Sequence, residues 1–346
     1  MIRFELKKIW KNKIFIVFLF AFIFIDVILI YNENLTQINV NKYKDHRYSI
    51  EVYDNIKGRI SLQKVEYLES ISLNPDYETV DTVFLLQRIN KALQYRIKAQ
   101  EVVSGAETNI EFYESIGNKK EAIRNTYIAD CFRGRSINDY YNYDGIDEYL
   151  KFDYSTMMVT ILMVISIFPL FYRDRKSGMD RIIKTVKNGG HTIVLVKLAS
   201  MIITGLCLIC LLRVIEYIEF HVIYGFEALD HPLYHVPEYN ATLFSESIRQ
   251  FFILDLCMKC LGILIIIILL CAAACIIKYS IAPVIIIMPL FLSGGIIKLF
   301  NGYRMAKETE LIYVGYEFFT DIFLTIAAAI VICIVGVMAV GRLYIK

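Results

Sequence analysis

Charge is missing from long stretches of this sequence. Between charged residues, Tyr154 to Tyr172 runs for 19 residues, Cys260 to Ile277 for 18, Tyr279 to Ile297 for 19 and Ile322 to Gly341 for 20. Leu198 to Leu212 is a shorter run of 15, and Ile14 to Tyr31 holds a single charge, Asp26. A helix needs about 20 residues to cross a hydrocarbon core of about 30 Å. These runs predict six membrane helices and exclude a soluble enzyme. The 346 residues contain no G-x-x-x-x-G-K-[ST] stretch, so no phosphate-binding loop and no nucleotide hydrolysis are expected of this chain. Tyr31-Asn32-Glu33-Asn34 offers no small-residue cleavage site, so the first run reads as a retained helix and not as a signal peptide.

Hydrophobic residues make up 56% of the chain and the mean hydropathy is +0.48. The expected fold is an all-α integral membrane protein. It has an interfacial helix at 1–13 and membrane helices at 14–31, 154–172, 193–226, 253–277, 279–300 and 320–341. A helical extracytoplasmic domain spans 32–153. Loops lie at 173–192, 227–252 and 301–319, and the tail is 342–346. With the N-terminus inside, the inner segments carry fifteen Lys and Arg and the short outer segments four. Both termini are therefore expected in the cytoplasm of a multi-pass plasma-membrane protein.

Residues 1–13 alternate Phe4, Ile9 and Trp10 with Lys7, Lys8, Lys11 and Lys13, the pattern of a helix lying on anionic lipid. In segment 32–153, Val83, Leu86, Asn90, Leu93 and Ile97 keep 3-4-3-4 spacing, a narrow seam expected to be core, with Gly105 closing the helix. An earlier helix is expected from Ile50 to about Leu73, packed antiparallel on the first, and a shorter one from Lys119 to Phe132. Cys131 is the one cysteine of this segment, so it has no internal disulfide.

Cys207/Cys210 and Cys257/Cys260 have metal-like spacing, but within membrane helices they read as small packing residues. His221, His231, His235 and Glu238 carry ligand chemistry, yet Pro232 and Pro237 argue against the helix that would align the two later histidines. No metal is expected. Ser245 is a candidate N-cap for a short interfacial helix. Ionisable residues inside a membrane are functional candidates. Here they are Asp26, Arg213, Glu216, Asp255 and Lys259. They read either as pairs neutralised within one helix or as a polar lining for a transport path.

The stretch after the second run is the most informative. It passes from Arg173 and Asp174 to Gly178, then an amphipathic piece with Met179, Arg181, Ile182 and Ile183, then Gly189-Gly190 as a stop. Together with the opening E-L-K-K-I-W-K-N-K, with Phe152-Asp153-Tyr154 and with Lys197, it resembles the permease subunits of ABC-2 type ABC transporters. The resemblance covers 1–31 and 152–346. One departure is Asp174, where the family more often has Glu. The resemblance implies a coupling helix at 172–192 that docks a separate ABC ATPase subunit, with Met179, Ile182 and Ile183 as anchors and Arg181 and Asp174 at the polar rim. It also implies ATP and magnesium on that partner, a second permease chain and contact with membrane lipids. No nucleic-acid partner is expected. Two other readings stay open: an ATPase-driven sensor that uses 32–153, and a secondary transporter or channel. No inverted repeat supports the last.

Overall fold

The computed structural model describes residues 1–35, 45–72, 82–178 and 189–276. The expected membrane helices at 279–300 and 320–341, the loop 301–319 and the tail 342–346 lie outside the described residues. So do Met179, Arg181, Ile182 and Ile183.

The protein is mostly helical, and four helical stretches are long and apolar enough to cross a membrane. A short amphipathic helix α1 (Ile2–Trp10) precedes α2 (Lys13–Glu33). The inserted segment then builds α3 (Asp45–Ile56), α4 (Leu62–Ser72), α5 (Thr82–Ser115), α6 (Lys119–Phe132) and α7 (Asp144–Lys151). The chain continues into α8 (Tyr154–Lys176), α9 (Gly189–Tyr224) and α10 (Ile248–Ile276). A two-residue ribbon joins β1 (Gly58–Arg59) to β2 (Asp139–Tyr140), with Gly58 opposite Tyr140.

Helix α8 is the hub of the bundle. It is the most buried candidate span, at 72% of its apolar window against 22% for α2. Its side chains Met158, Leu162, Met163 and Ile167 interlock with Leu208 and Ile209 of α9 and Ile263 and Ile267 of α10. Gly205 lets α9 approach closely. A Cβ there would lie 2.4 Å from the Cδ1 of Ile267. Small residues at such crossings let helix backbones pack where lipid gives no hydrophobic drive for association. Helix α2 contributes one face only, through Phe15, Leu19, Asp26 and Ile30, which recur at the helical period.

At the other end of α8 a second core forms around Tyr149, Phe152, Phe220, Tyr239 and Phe251. It joins α7, α9, α10 and the short 3-10 turns Leu233–His235 and Pro237–Tyr239. Aromatic side chains of this kind collect at membrane–water boundaries.

Several expectations are corrected. The helix read from Ile50 to Leu73 is two helices, because Gly58 adopts φ +84 and the ribbon interrupts them. Gly105 does not end α5, which continues to Ser115 and turns at Gly117 (φ +72) into α6. The main partner of α5 is therefore α6, through Tyr95, Ala99 and Ala106 against Ile128, Ala129 and Phe132. The predicted seam is not core: Val83 and Ile97 are 60% and 59% exposed. The cap before the fourth candidate span is Ser247, not Ser245. Its hydroxyl accepts from the Gln250 amide at 3.3 Å while Gln250 Oε1 accepts from the Ser247 amide at 3.0 Å. This is a capping box. The helix it opens is α10 itself and not a separate surface piece. Gly189 and Gly190 are likewise the first residues of α9 and not a stop.

Candidate functional site

One cluster sits where α1 meets the last turn of α8 and the start of α9. Lys197 has no exposed surface, and its ammonium lies 2.6 Å from Asp174 Oδ2. Lys8 lies 3.5 Å from the other Asp174 oxygen and 2.9 Å from Glu5 Oε1. Lys197 also donates to the Leu170 carbonyl at 3.4 Å and sits 4.7 Å from the centre of the Phe171 ring. The helical period puts Leu170, Phe171 and Asp174 on one side of α8, facing α9. Glu5 and Lys8 are one turn apart on α1. Here Ile9 is buried against the bundle while Phe4 and Trp10 stay exposed beside Lys7 and Lys11. Helix α1 is thus an amphipathic helix held to the bundle by a charge.

The rim position expected for Asp174 is corrected by this geometry. Its carboxylate turns into the bundle, because two ammoniums are there to meet it. Arg173 is exposed, Arg175 donates to the Ala274 carbonyl at 2.9 Å, and Gly178 follows the helix at φ +69.

The second cluster lies at the opposite end of α8. The 21 residues from Asp153 to Asp174 correspond to roughly 32 Å at about 1.5 Å per residue. Four of the five intramembrane candidates meet here. Arg213 binds Glu216 at 2.5 Å on its own helix and Asp255 at 3.1 Å on α10. It also donates to the Phe152 carbonyl at 3.1 Å and lies 4.1 Å from the Tyr149 ring centre. Lys259 approaches Asp255 at 3.6 Å and Asp153 at 2.8 Å. Asp153 also accepts from the Thr156 hydroxyl at 2.8 Å.

The expected within-helix pairs are present, and bonds between helices join them into one network. Arg213, Glu216, Asp255 and Lys259 are each at most 2% exposed. In this conformation they face one another, and among the described residues only Arg213 of the four also borders a cleft. Asp26 is fully buried in the fields of Glu216 and Arg213, yet neither of its oxygens has a hydrogen-bond partner among the described residues. One Glu216 oxygen is in the same condition. Buried polar groups in that state are costly in a medium that cannot solvate them. Beside the network a cleft of about 350 Å³ opens between α9 and α10, lined by Tyr149, Tyr217, Arg249 and Phe252.

The inserted segment is tied to this end. The Tyr95 hydroxyl donates to the Asn240 carbonyl at 2.8 Å, and within the segment Arg88 meets Asp144 of α7 at 2.6 Å. Buried Arg135 donates to the Thr242 and Leu243 carbonyls. His231 and His235 lie 5.0 Å apart, ring centre to ring centre. Burial is the main cause that pushes the His235 imidazole down to about 4. Among the described residues no three His, Cys, Asp or Glu side chains converge on a metal position.

Sequence reasoning missed Glu5 and Lys8 as partners of the Asp174 cluster, and Asp153 as the partner of Lys259. No spacing within one helix signals pairs that form between helices. The one available cue was that Asp153 and Lys197 each mark the edge of an uncharged run. Comparison of the chain with protein-family models, curated proteins and solved structures finds no match.

Proposed function

We propose that this chain is the membrane subunit of an ATP-driven transporter of the ABC-2 type, an exporter whose ATPase is a separate subunit. One observation carries the reading. Three sequence stretches that bear the resemblance are far apart in the chain, and they meet at one cluster: Lys8 from the opening motif, Asp174 from the stretch that runs to Gly178 and Lys197 from the start of α9. An ion pair there makes the end of α8 and the start of α9 move as one body. The segment between them, 177–188, is where an ATPase would push. A push at that point travels along α8, the hub helix, to the Asp153–Lys259 pair about 32 Å away. In this reading both termini and the 173–192 segment are cytoplasmic and 32–153 lies outside. ATP and magnesium are bound by the partner, and two permease chains form the path.

The test is copurification of the chain with a nucleotide-hydrolysing subunit from its native membranes. Ile182→Asp removes an apolar anchor, and anchors carry most of an interface's energy. It should release the ATPase, whereas Lys187→Ala should not. Retention of the ATPase and of coupled hydrolysis by Ile182→Asp would remove this segment as the coupling element.

A second reading, an ATPase-coupled sensor, is favoured by the Tyr95–Asn240 and Arg135–Thr242 ties, which connect the inserted segment to the loop before α10. Hydrolysis stimulated by cargo in vesicles supports transport. Hydrolysis that responds to a ligand of 32–153 without cargo movement supports sensing.

A further inference from the structure

Helix α5 has two apolar faces, and its own domain uses one of them. Ile89, Tyr95, Ala99 and Ala106 are buried against neighbouring elements. On the opposite side Val83, Leu93 and Ile97 are 60%, 48% and 59% exposed. Asn90 is exposed between them and Leu86 is half-buried at the edge. Five positions with 3-4-3-4 spacing therefore form a straight seam, of which the domain partly covers Leu86 and leaves Val83, Asn90, Leu93 and Ile97 open.

The residue types on that seam say what covers it. In heptad terms Val83, Asn90 and Ile97 fall at a, and Leu86 and Leu93 at d. β-Branched residues at a with leucine at d favour two parallel strands, and a single asparagine at a fixes register and number. The flanks agree. Arg96 is a g position and Glu101 is the e position of the following heptad, and both are exposed. In a parallel pair the g residue of one helix faces that e residue of the other. Within a single helix the two are five residues apart, a spacing that does not bring side chains together. The charge complementarity is therefore between copies.

We propose that α5 pairs in parallel with α5 of a second copy of this chain, through Val83, Leu86, Asn90, Leu93 and Ile97, with Arg96 of each helix meeting Glu101 of the other. Two copies inserted the same way in one membrane carry this helix on the same side and can meet about a two-fold axis, so the same patch faces itself. The seam is only about two heptads long, too short to hold two free peptides together. Confinement of both bundles to one membrane raises their effective concentration and makes a short seam sufficient. The inference gives the second permease copy of the proposed function a contact surface, and it rests on that reading only for the number of chains. It requires no ATPase.

The experiment is cysteine cross-linking of the full chain in membranes, scored above the yield of a parent that keeps its native cysteines. Leu93→Cys and Ile97→Cys should each form, on mild oxidation, a species of twice the chain's mass. Lys98→Cys, which lies off the seam, should react with maleimide and cross-link several-fold less. Arg96→Glu should lower the Leu93→Cys yield, and adding Glu101→Lys should restore it. Three results would overturn the proposal. One is no cross-link at either seam position with both thiols open to maleimide. Another is thiols closed to maleimide without a cross-link, which puts a different segment on the seam. The third is equal cross-linking at Lys98→Cys. Loss of ATPase copurification leaves the cross-link unaffected, so failure of this proposal and failure of the transporter reading are told apart.

Discussion

Lys259 on α10 meets Asp153, the residue that opens α8, at 2.8 Å with 1% of the lysine side chain exposed. The pair fastens the start of the hub helix to a neighbouring span, and Arg213 and Asp255 continue the same network. Removing one partner of a buried pair strands the other, at a cost of about 3–5 kcal/mol. Lys259→Met should lower the thermal midpoint of the purified protein sharply. Lys259→Met combined with Asp153→Asn should recover part of the loss. A double variant no better than Lys259→Met would remove the pair from the account.

Two glycines make contacts of different kinds. A Cβ on Gly145 would lie 2.4 Å from the Cβ of Tyr224, an atom held by the α9 backbone. On Gly205 it would meet the terminal Cδ1 of Ile267, which can swing away. Gly145→Ala should therefore destabilise by about 1–3 kcal/mol, and Gly205→Ala by less. The reverse order in thermal unfolding would contradict the packing described for α7 on α9.

His235 gives a pH dependence of definite sign. Its folded value of about 4 lies below the ordinary 6.5 because burial disfavours the imidazolium, and His231 adds to this. Between those values the unfolded chain binds more protons, so the stability His235 supplies is present above about 6.5 and is lost as pH falls toward 4. Wild type minus His235→Gln should show that loss. A difference that stays flat from pH 7 to pH 4 would exclude it.

Cys131 is free and half-buried. Burial raises its thiol above the usual range, and Tyr127 and Arg135 partly offset that. An impermeant maleimide should modify it several-fold more slowly than Lys120→Cys, in intact cells, if 32–153 is outside. Labelling of either only after lysis would reverse the orientation. A disulfide from Cys131 to another cysteine of the chain would contradict the free thiol.

Local features were legible in the sequence. The uncharged runs mark α2, α8, α9 and α10 closely, because a span needs length and apolarity and little else. Helix α1 and the helix Lys119–Phe132 follow from periodicity and turn residues. The turn at Gly58 was not legible, because only the backbone shows that its φ is positive. The seam of α5 was seen as one face of a helix and wrongly placed in the core. Spacing shows that residues share a face, and it does not show what covers that face. The charged network was seen as residues and not as bonds, because Arg213–Asp255 and Lys259–Asp153 join different helices.

The most direct test of the central claim is to isolate the tagged chain from its native membranes with its partners and identify them by mass spectrometry, measuring ATP hydrolysis by the complex and by the chain alone. The account predicts a partner subunit carrying G-x-x-x-x-G-K-[ST], hydrolysis by the complex, none by the chain alone, and loss of that partner in Ile182→Asp. A chain that purifies active and intact from membranes with no nucleotide-hydrolysing subunit would contradict it.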